Sequence, residues 1–274
     1  MPKKAIFILS LALGVFLIPP VFSSAQDIIK SEWAVAPLNI DGLNTDWAEA
    51  VFSPQSKVKA DFAFRNDGQN IYLIMIFKDP KFLSSIDATG MKIFFNTEGK
   101  KKKDRGLRFF KKMVKPDEFI ASLESKGQMI SEEEKTKLRT QRALTVFDYE
   151  LLVKEKPQTS SAPQTGAEGI DLPKYRFKRT ETGTVYEFRI PLTVDDAHPA
   201  GLGVEPGKTV KIGFEWGGLT DEMRAARLRQ ASGDNSGIAG ESIDHYVVGS
   251  WGGSGPPPVY NFWIDIQLAV KTTS

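Results

Sequence analysis

The chain has 274 residues, no cysteine, two histidines, and 36 Lys and Arg against 34 Asp and Glu. Without cysteine there can be no disulfide, thiolate metal ligand or cysteine nucleophile, so stability must come from an apolar core. The surplus charge of +2 resides in Lys3 and Lys4; without them 34 basic residues face 34 acidic ones, a balance that argues against nucleic acid as a partner.

Lys3 and Lys4 precede an apolar run over 5–21 and the small triplet Ser23, Ser24, Ala25, which is the order of a secretory signal peptide. Pro19 and Pro20 interrupt the run, and it falls short of the ~20 residues that a membrane span requires. The sequence therefore predicts cleavage after Ala25 and a periplasmic or secreted mature protein. Removing 25 of 274 residues leaves 249, read as a single domain over 26–274.

Residues 57–65 alternate, with Val58, Ala60, Phe62 and Phe64 on one face and Lys57, Lys59, Asp61 and Arg65 on the other. Period two predicts a half-buried strand. Asn66, Asp67, Gly68 and Gln69 supply turn chemistry, and the apolar run 71–77 predicts a second strand covered on both faces. Further strands are predicted at 91–96, 174–179, 184–192, 209–216 and 260–268. In the last, Phe262, Ile264, Ile266 and Leu268 share one face while Trp263, Asp265 and Gln267 share the other. Many short strands with turn signals between them predict an all-β fold, an antiparallel β-sandwich of immunoglobulin-like or jelly-roll type, rather than βαβ units.

Between the strands at 91–96 and 174–179, residues 97–145 read as a basic and helical insertion. Pro116 suits a first helical turn, with Phe119, Ile120 and Leu123 on one stripe and Gly127 at the end. Ser131 and Glu134 have the spacing of a capping box opening a second helix. The stretch 157–169, rich in Pro, Ser, Thr, Gln and Gly, reads as a flexible loop, and 217–258 as a glycine-rich loop excursion.

Several segments together resemble the family 9 carbohydrate-binding modules and the wider DOMON-like sandwich group. They are Asn39-Ile40-Asp41-Gly42 with Asp46-Trp47, Asn70-Ile71-Tyr72-Leu73 running to Phe77-Lys78-Asp79-Pro80, Ile93-Phe94-Phe95-Asn96, the stretch 185–192, and Lys211-Ile212-Gly213-Phe214. Asp41, Gly42, Trp47, Asp79 and Pro80 read as structural: a turn pair, an apolar anchor and a strand stop. In the family a terminal sugar lies between two tryptophans, because a pyranose face stacks on an aromatic ring while polar groups bond its hydroxyls. Aligned on 93–96, the first platform falls on Ile86 and a sugar-bonding glutamate on Lys92; the second platform matches Trp251.

The resemblance implies a non-catalytic exported binding module with a glycan or polysaccharide ligand, and Trp251, Trp263, Asp265 and Lys92 are the candidate ligand-binding residues. Trp251 could equally plug an end of the sandwich, and Trp263 could pack as core or cover an insertion; Trp216 reads as core. From 100 to 115 there are nine Lys or Arg and one acid, Asp104, a local charge of +8. Lys100, Lys101, Lys102, Lys103, Arg105 and Arg108 are the candidates for contact with an anionic surface or an envelope protein. The alternative is a solvated hairpin balanced by Glu132, Glu133 and Glu134.

An envelope interaction or assembly module is therefore a second reading. A third is haem-b-binding electron transfer, which some DOMON relatives perform, with Met75, Met91 and His245 as candidates against a core role for the methionines. The histidines His198 and His245 lack zinc-ligand spacing. Ser242, Asp244 and His245 lack a nucleophile-elbow context, so no catalytic residue is assigned. No cofactor is implied beyond a structural calcium, for which Asp234 and Asn235 are candidates against an ordinary turn.

Overall fold

The computed structural model describes residues 28–272 apart from 84, 126, 159–171, 197, 221–222, 226–227 and 229–257. In chain order the elements are β1 (Ile29–Lys30), β2 (Glu32–Trp33), β3 (Ser53–Gln55), β4 (Ala60–Asn66), β5 (Asn70–Phe77), α1 (Ile86–Thr89), β6 (Met91–Asn96) and β7 (Arg105–Val114). There follow α2 (Pro116–Ser125), α3 (Glu132–Arg139), β8 (Leu144–Val153), β9 (Lys156–Pro157), β10 (Lys174–Thr180), β11 (Gly183–Pro191), β12 (Thr209–Gly217) and β13 (Val259–Gln267). They make two sheets, one of seven strands in the order β1-β13-β12-β6-β7-β8-β9, the other β10-β11-β5-β4-β2 with β3 also on β4.

The predicted sandwich forms, antiparallel except at two short parallel contacts, β1 on β13 and β2 on β4. Both come from one strap of chain that changes sheets at Ser31. The Ser31 hydroxyl donates to the Asn66 side chain and accepts from Ala269 N at 2.9 Å, pinning the strap to both sheets. Strands of two residues carry too little pattern to be read from sequence.

Alternation fills the space between the sheets. Val58, Ala60, Phe62 and Phe64 enter one core with Phe214, Trp216, Phe262, Ile264 and Ile266. In β5, Ile71, Leu73, Met75 and Phe77 join this core, whereas Tyr72 and Ile74 face the other way into a second cluster with Leu38, Ile40, Trp47 and Val185. The continuous apolar run thus has its predicted cause. Residues 34–52 wrap across the outer face of the second sheet and seal it.

Glu187 holds this wrap down. One carboxylate oxygen accepts from Trp47 Nε1 at 2.8 Å, the other from Gly42 N at 2.7 Å and Asp41 N at 3.0 Å. Burial pushes its carboxyl above the ordinary range, against the pull of those three donors. Gly42 has φ +82°, and a Cβ there would lie 2.7 Å from the Phe177 carbonyl carbon, so only glycine fits this turn. Asp79 caps the 3₁₀ turn at Pro80 by accepting from Lys81 N at 3.0 Å, as a strand stop should.

The stretch 97–145 differs from the expected helical insertion. Arg105–Val114 and Leu144–Val153 are ten-residue strands paired along their whole length, which widen the sheet. Helices occupy only the connection between them. Pro116 opens α2 as predicted, Gly127 at φ +73° closes it with Gln128 N on Leu123 O at 3.0 Å, and Ser131 and Glu134 form the capping box. The segment 1–25, nearly all of the loop 157–169 and most of 217–258 lie outside the described residues.

Candidate functional site

Unlike the sealed face of the second sheet, the outer face of the seven-stranded sheet is polar. Because side chains directly opposite in antiparallel strands share a face, the registers read out its surface row by row. One row is Trp263, Gly213, Phe94 and Gly106, from β13 across β12 and β6 to β7. On one side of it lie Asp265, Lys211 and Asn96. On the other lie Asn261, Glu215, Lys92, Arg108 and Glu150.

The two glycines let the two rings lie flat. A Cβ on Gly213 would meet three Trp263 ring atoms at 2.7 Å, and one on Gly106 would meet Phe94 Cδ1 at 2.7 Å. The indole and phenyl planes differ by only 24°, with centroids 6.5 Å apart. Phe94 is buried at 1% exposure, under Lys103, whose Nζ is 5.6 Å from the ring centre. Trp263 is only partly buried.

Ion pairs border this ring. Lys211 Nζ lies 2.6 Å from both oxygens of Asp265. Glu215 bridges Lys92 at 3.1 Å and Lys103 at 2.7 Å, and Lys103 also reaches Glu155 at 3.3 Å. Burial would push the Glu215 carboxyl up, but the hydrogen bonds and charges of Lys103 and Lys92 outweigh it and hold the carboxyl below its usual range. Lys103 behaves in mirror image: burial favours its neutral form, and Glu215 with Glu155 keeps it charged. Chemically this is an apolar ring face edged by carboxylates with spare lone pairs and by the exposed Asn261 amide, a donor and acceptor.

Of the ligand candidates, Trp263, Asp265 and Lys92 meet on this one face, while Trp251 lies outside the described residues. Ile86 is core at 5% exposure and no platform. Met75 and Met91 are also core, and His245, Ser242, Asp244, Asp234 and Asn235 lie outside the described residues. Trp216 is core as predicted, its Nε1 donating to Phe82 O at 2.8 Å. Among the described residues no three of His, Cys, Asp or Glu are grouped to hold a metal, and no helix is long and apolar enough to cross a membrane.

The basic candidates are mostly engaged within the chain. Lys100 and Lys102 reach Glu98 at 2.8 and 3.8 Å, Lys103 has its two glutamates, and Arg108 meets Glu150 at 3.3 Å. Arg105 donates to the carbonyls of Gly201, at 3.2 Å, and Pro199. Lys101 is exposed. The balancing acids are therefore Glu98, Glu150, Glu155 and Glu215; Glu134 instead caps α3, and Glu132 pairs with Lys135 at 2.6 Å. Sequence reasoning missed Phe94, Lys211, Gly213, Glu215 and Asn261 as members of the site. Their signal was the alternation within 91–96, 209–216 and 260–268, where every second residue faces away from the core.

These elements define a class: a two-sheet β-sandwich sealed on one face by its own wrap and carrying an aromatic ring among ion pairs on the other. Among solved structures the chain is similar to a family 9 carbohydrate-binding module from Caldicellulosiruptor kristjanssonii in complex with cellotriose. The TM-score is 0.40 and the identity 10%, over 90% of this chain and 95% of that one. It is also similar to a family 9 module from the same organism in complex with glucose, with TM-score 0.35 and 14% identity over 72% of this chain and 81% of that one. No protein-family model and no curated protein matches the sequence.

Proposed function

We propose that the chain is a non-catalytic, exported glycan-binding module whose ligand lies on the outer face of the seven-stranded sheet. The observation that carries this reading is the partly exposed Trp263 ring, laid flat on Gly213 and bordered by Asp265, Lys211, Glu215, Lys92 and Asn261. A pyranose offers one apolar C–H face and a rim of hydroxyls. The indole takes the first and the border groups take the second. The five segments similar to family 9 modules support the same class of ligand.

The test is affinity electrophoresis of the purified protein through gels carrying neutral or acidic polysaccharides, followed by calorimetry with oligosaccharides of whichever glycan retards it. Trp263→Ala should weaken binding by about tenfold or more, since a stacked aromatic contributes about 1 kcal/mol beyond its buried area. No retardation on any glycan, or a Trp263→Ala protein that binds like the parent, overturns the reading. For export, the protein recovered from outside the cytoplasm should begin at Gln26, which N-terminal sequencing would read.

A further inference from the structure

Helix α2 does not lie flush on the C-terminal half of β7 and the N-terminal half of β8. Between helix and ribbon is a cavity of about 250 Å³. Strand pairing settles which face it occupies. Arg108 stands opposite both Lys92 and Glu150, so it belongs to the outer face that carries Trp263, and alternation brings Phe110, Lys112 and Val114 to the same side. Asp148 and Val146, opposite Phe110 and Lys112, join them. Glu118, Phe119, Ser122 and Leu123 line the cavity from one face of α2.

The lining has two characters. Val114 and Val146 give an apolar floor, Phe119 and Leu123 an apolar roof. Beside them Lys112 Nζ donates to Asp148 Oδ2 at 2.7 Å, and Asp148 Oδ1 accepts from Tyr149 N at 2.9 Å. A carboxylate has about four acceptor sites, so Asp148 keeps about two to offer. Glu118 and Ser122 are exposed and add a carboxylate and a hydroxyl. An acyl chain in this space would bury three charged groups against hydrocarbon, which is costly. A uronate would face two carboxylates against one ammonium. A neutral sugar ring suits both characters, because its C–H face meets the apolar groups while its hydroxyls donate to the carboxylates and accept from Lys112. The volume lies just below the range of about 300–1,000 Å³ for ligand pockets, which is room for one ring rather than several.

Position ties the cavity to the platform. Gly106, in the Trp263 row, and Lys112, in the cavity wall, are six residues apart on β7, and β7 lies three strands from β13. With about 3.4 Å per residue and about 4.8 Å per strand, the indole and the cavity are about 25 Å apart. Phe110 lies between them, half-buried, with the Arg108 guanidinium 5.1 Å from its ring centre. The geometry points to a second sugar subsite beneath α2, which takes a further neutral unit of the same chain that stacks on Trp263. The inference rests on the glycan reading of this face and adds to it a preference for long chains, because one ligand then spans two linked sites.

The probes are xylan, mannan and mixed-linkage glucan oligosaccharides of two and of eight units. A disaccharide cannot span the two sites; an octasaccharide can. They are titrated into the full purified chain and followed by calorimetry and by the methyl resonances of Val114, Leu123 and Val146. An octasaccharide should bind about tenfold or more tighter than its disaccharide and shift those methyls. Ser122→Trp, which plugs the cavity from an exposed helix position, should erase the advantage of length. Glu118→Trp, at another exposed lining position, serves if that variant unfolds. In Trp263→Ala the methyl shifts should persist at higher ligand concentration, so the cavity is read apart from the platform. Binding without methyl shifts, or a folded plugged variant that keeps the advantage of length, would overturn the subsite and leave the platform standing. Methyl shifts with equal affinity in parent and Trp263→Ala would sink the platform and leave the subsite. No binding of any probe overturns both, and stronger methyl shifts with oligogalacturonate than with the neutral probes would overturn the neutral class.

Discussion

Gly213→Ala adds one methyl group beneath Trp263 and little else. The backbone at 213 is ordinary extended strand, so alanine meets no conformational strain there. The new Cβ would lie 2.7 Å from three indole atoms, whereas carbon atoms in contact prefer about 3.5–4.0 Å, so the ring must lift by about 1 Å. A rigid bicycle lifts only by turning χ1 and χ2, and a ~30° departure from a rotamer costs about 0.5–1.5 kcal/mol. Part of the stacking on Phe94, worth about 0.5–1.5 kcal/mol, goes with it. Losing a glycine from the unfolded chain returns about 0.4–1 kcal/mol, leaving a net loss of about 1 kcal/mol. Gly106→Ala should be worse, at about 1–3 kcal/mol, because its Cβ meets the Ile93 carbonyl oxygen at 2.7 Å and a backbone oxygen cannot rotate away. Urea unfolding read by fluorescence gives both stabilities, near-UV circular dichroism reports the indole, and affinity gels give the binding. If Gly213→Ala is as stable as the parent with an unchanged aromatic spectrum, the indole does not lie on β12 and the platform geometry is wrong.

Glu187→Gln should destabilise by about 1–3 kcal/mol, since whichever oxygen becomes an amide nitrogen turns a donor toward Trp47 Nε1 or toward the Asp41 and Gly42 amides. Because the folded-state pKa of Glu187 is raised above 4.5, its contribution is most favourable below that value and is lost as pH rises through the folded pKa; the variant should lack this dependence in thermal melts. Glu215 has the opposite sign. Its pKa is held below 4.5, so its contribution is full above 4.5 and is lost as pH falls through the folded value, and Glu215→Gln should flatten the acid side of the melting profile. A parent profile with no acid-side loss attributable to Glu215 would mean that Lys92 and Lys103 do not hold it charged.

Strands whose faces each meet a uniform surrounding were legible in the sequence. β4, β6, β12 and β13 alternate because one face meets the core, and β5 is apolar throughout because residues 34–52 cover its back. β7 and β8 were not legible. In Arg105–Val114 only Leu107 and Phe109 reach the core; beyond them Lys111 turns to Asp87 at 2.9 Å and Met113 is exposed, so charge appears on both faces and the period is lost. Part of the site was hidden for a different reason. Trp263 and Asp265 could be paired from one strand's alternation, but Phe94, Gly213 and Glu215 join them only through registers between strands distant in sequence.

Charge shows the limit most clearly, because counting along the chain and pairing across it give opposite answers. The stretch 100–115 is the most basic in the sequence, yet folding sets Glu98, Glu150, Glu155 and Glu215 against it, and the last three arrive from β8, the turn after it and β12. The stretch 174–179 is shorter and drew no notice as a charged site. It ends a sheet, however, and its cross-strand neighbours are Arg189, a committed Glu187 and Val185, while Arg176 lies over the Phe147 ring at 4.7 Å. A cation's availability is thus set by which strand is placed beside its own. An outer position on an end strand has one such neighbour instead of two, and on β10 the one carboxylate which that neighbour brings, Glu187, is bound to Trp47, Asp41 and Gly42.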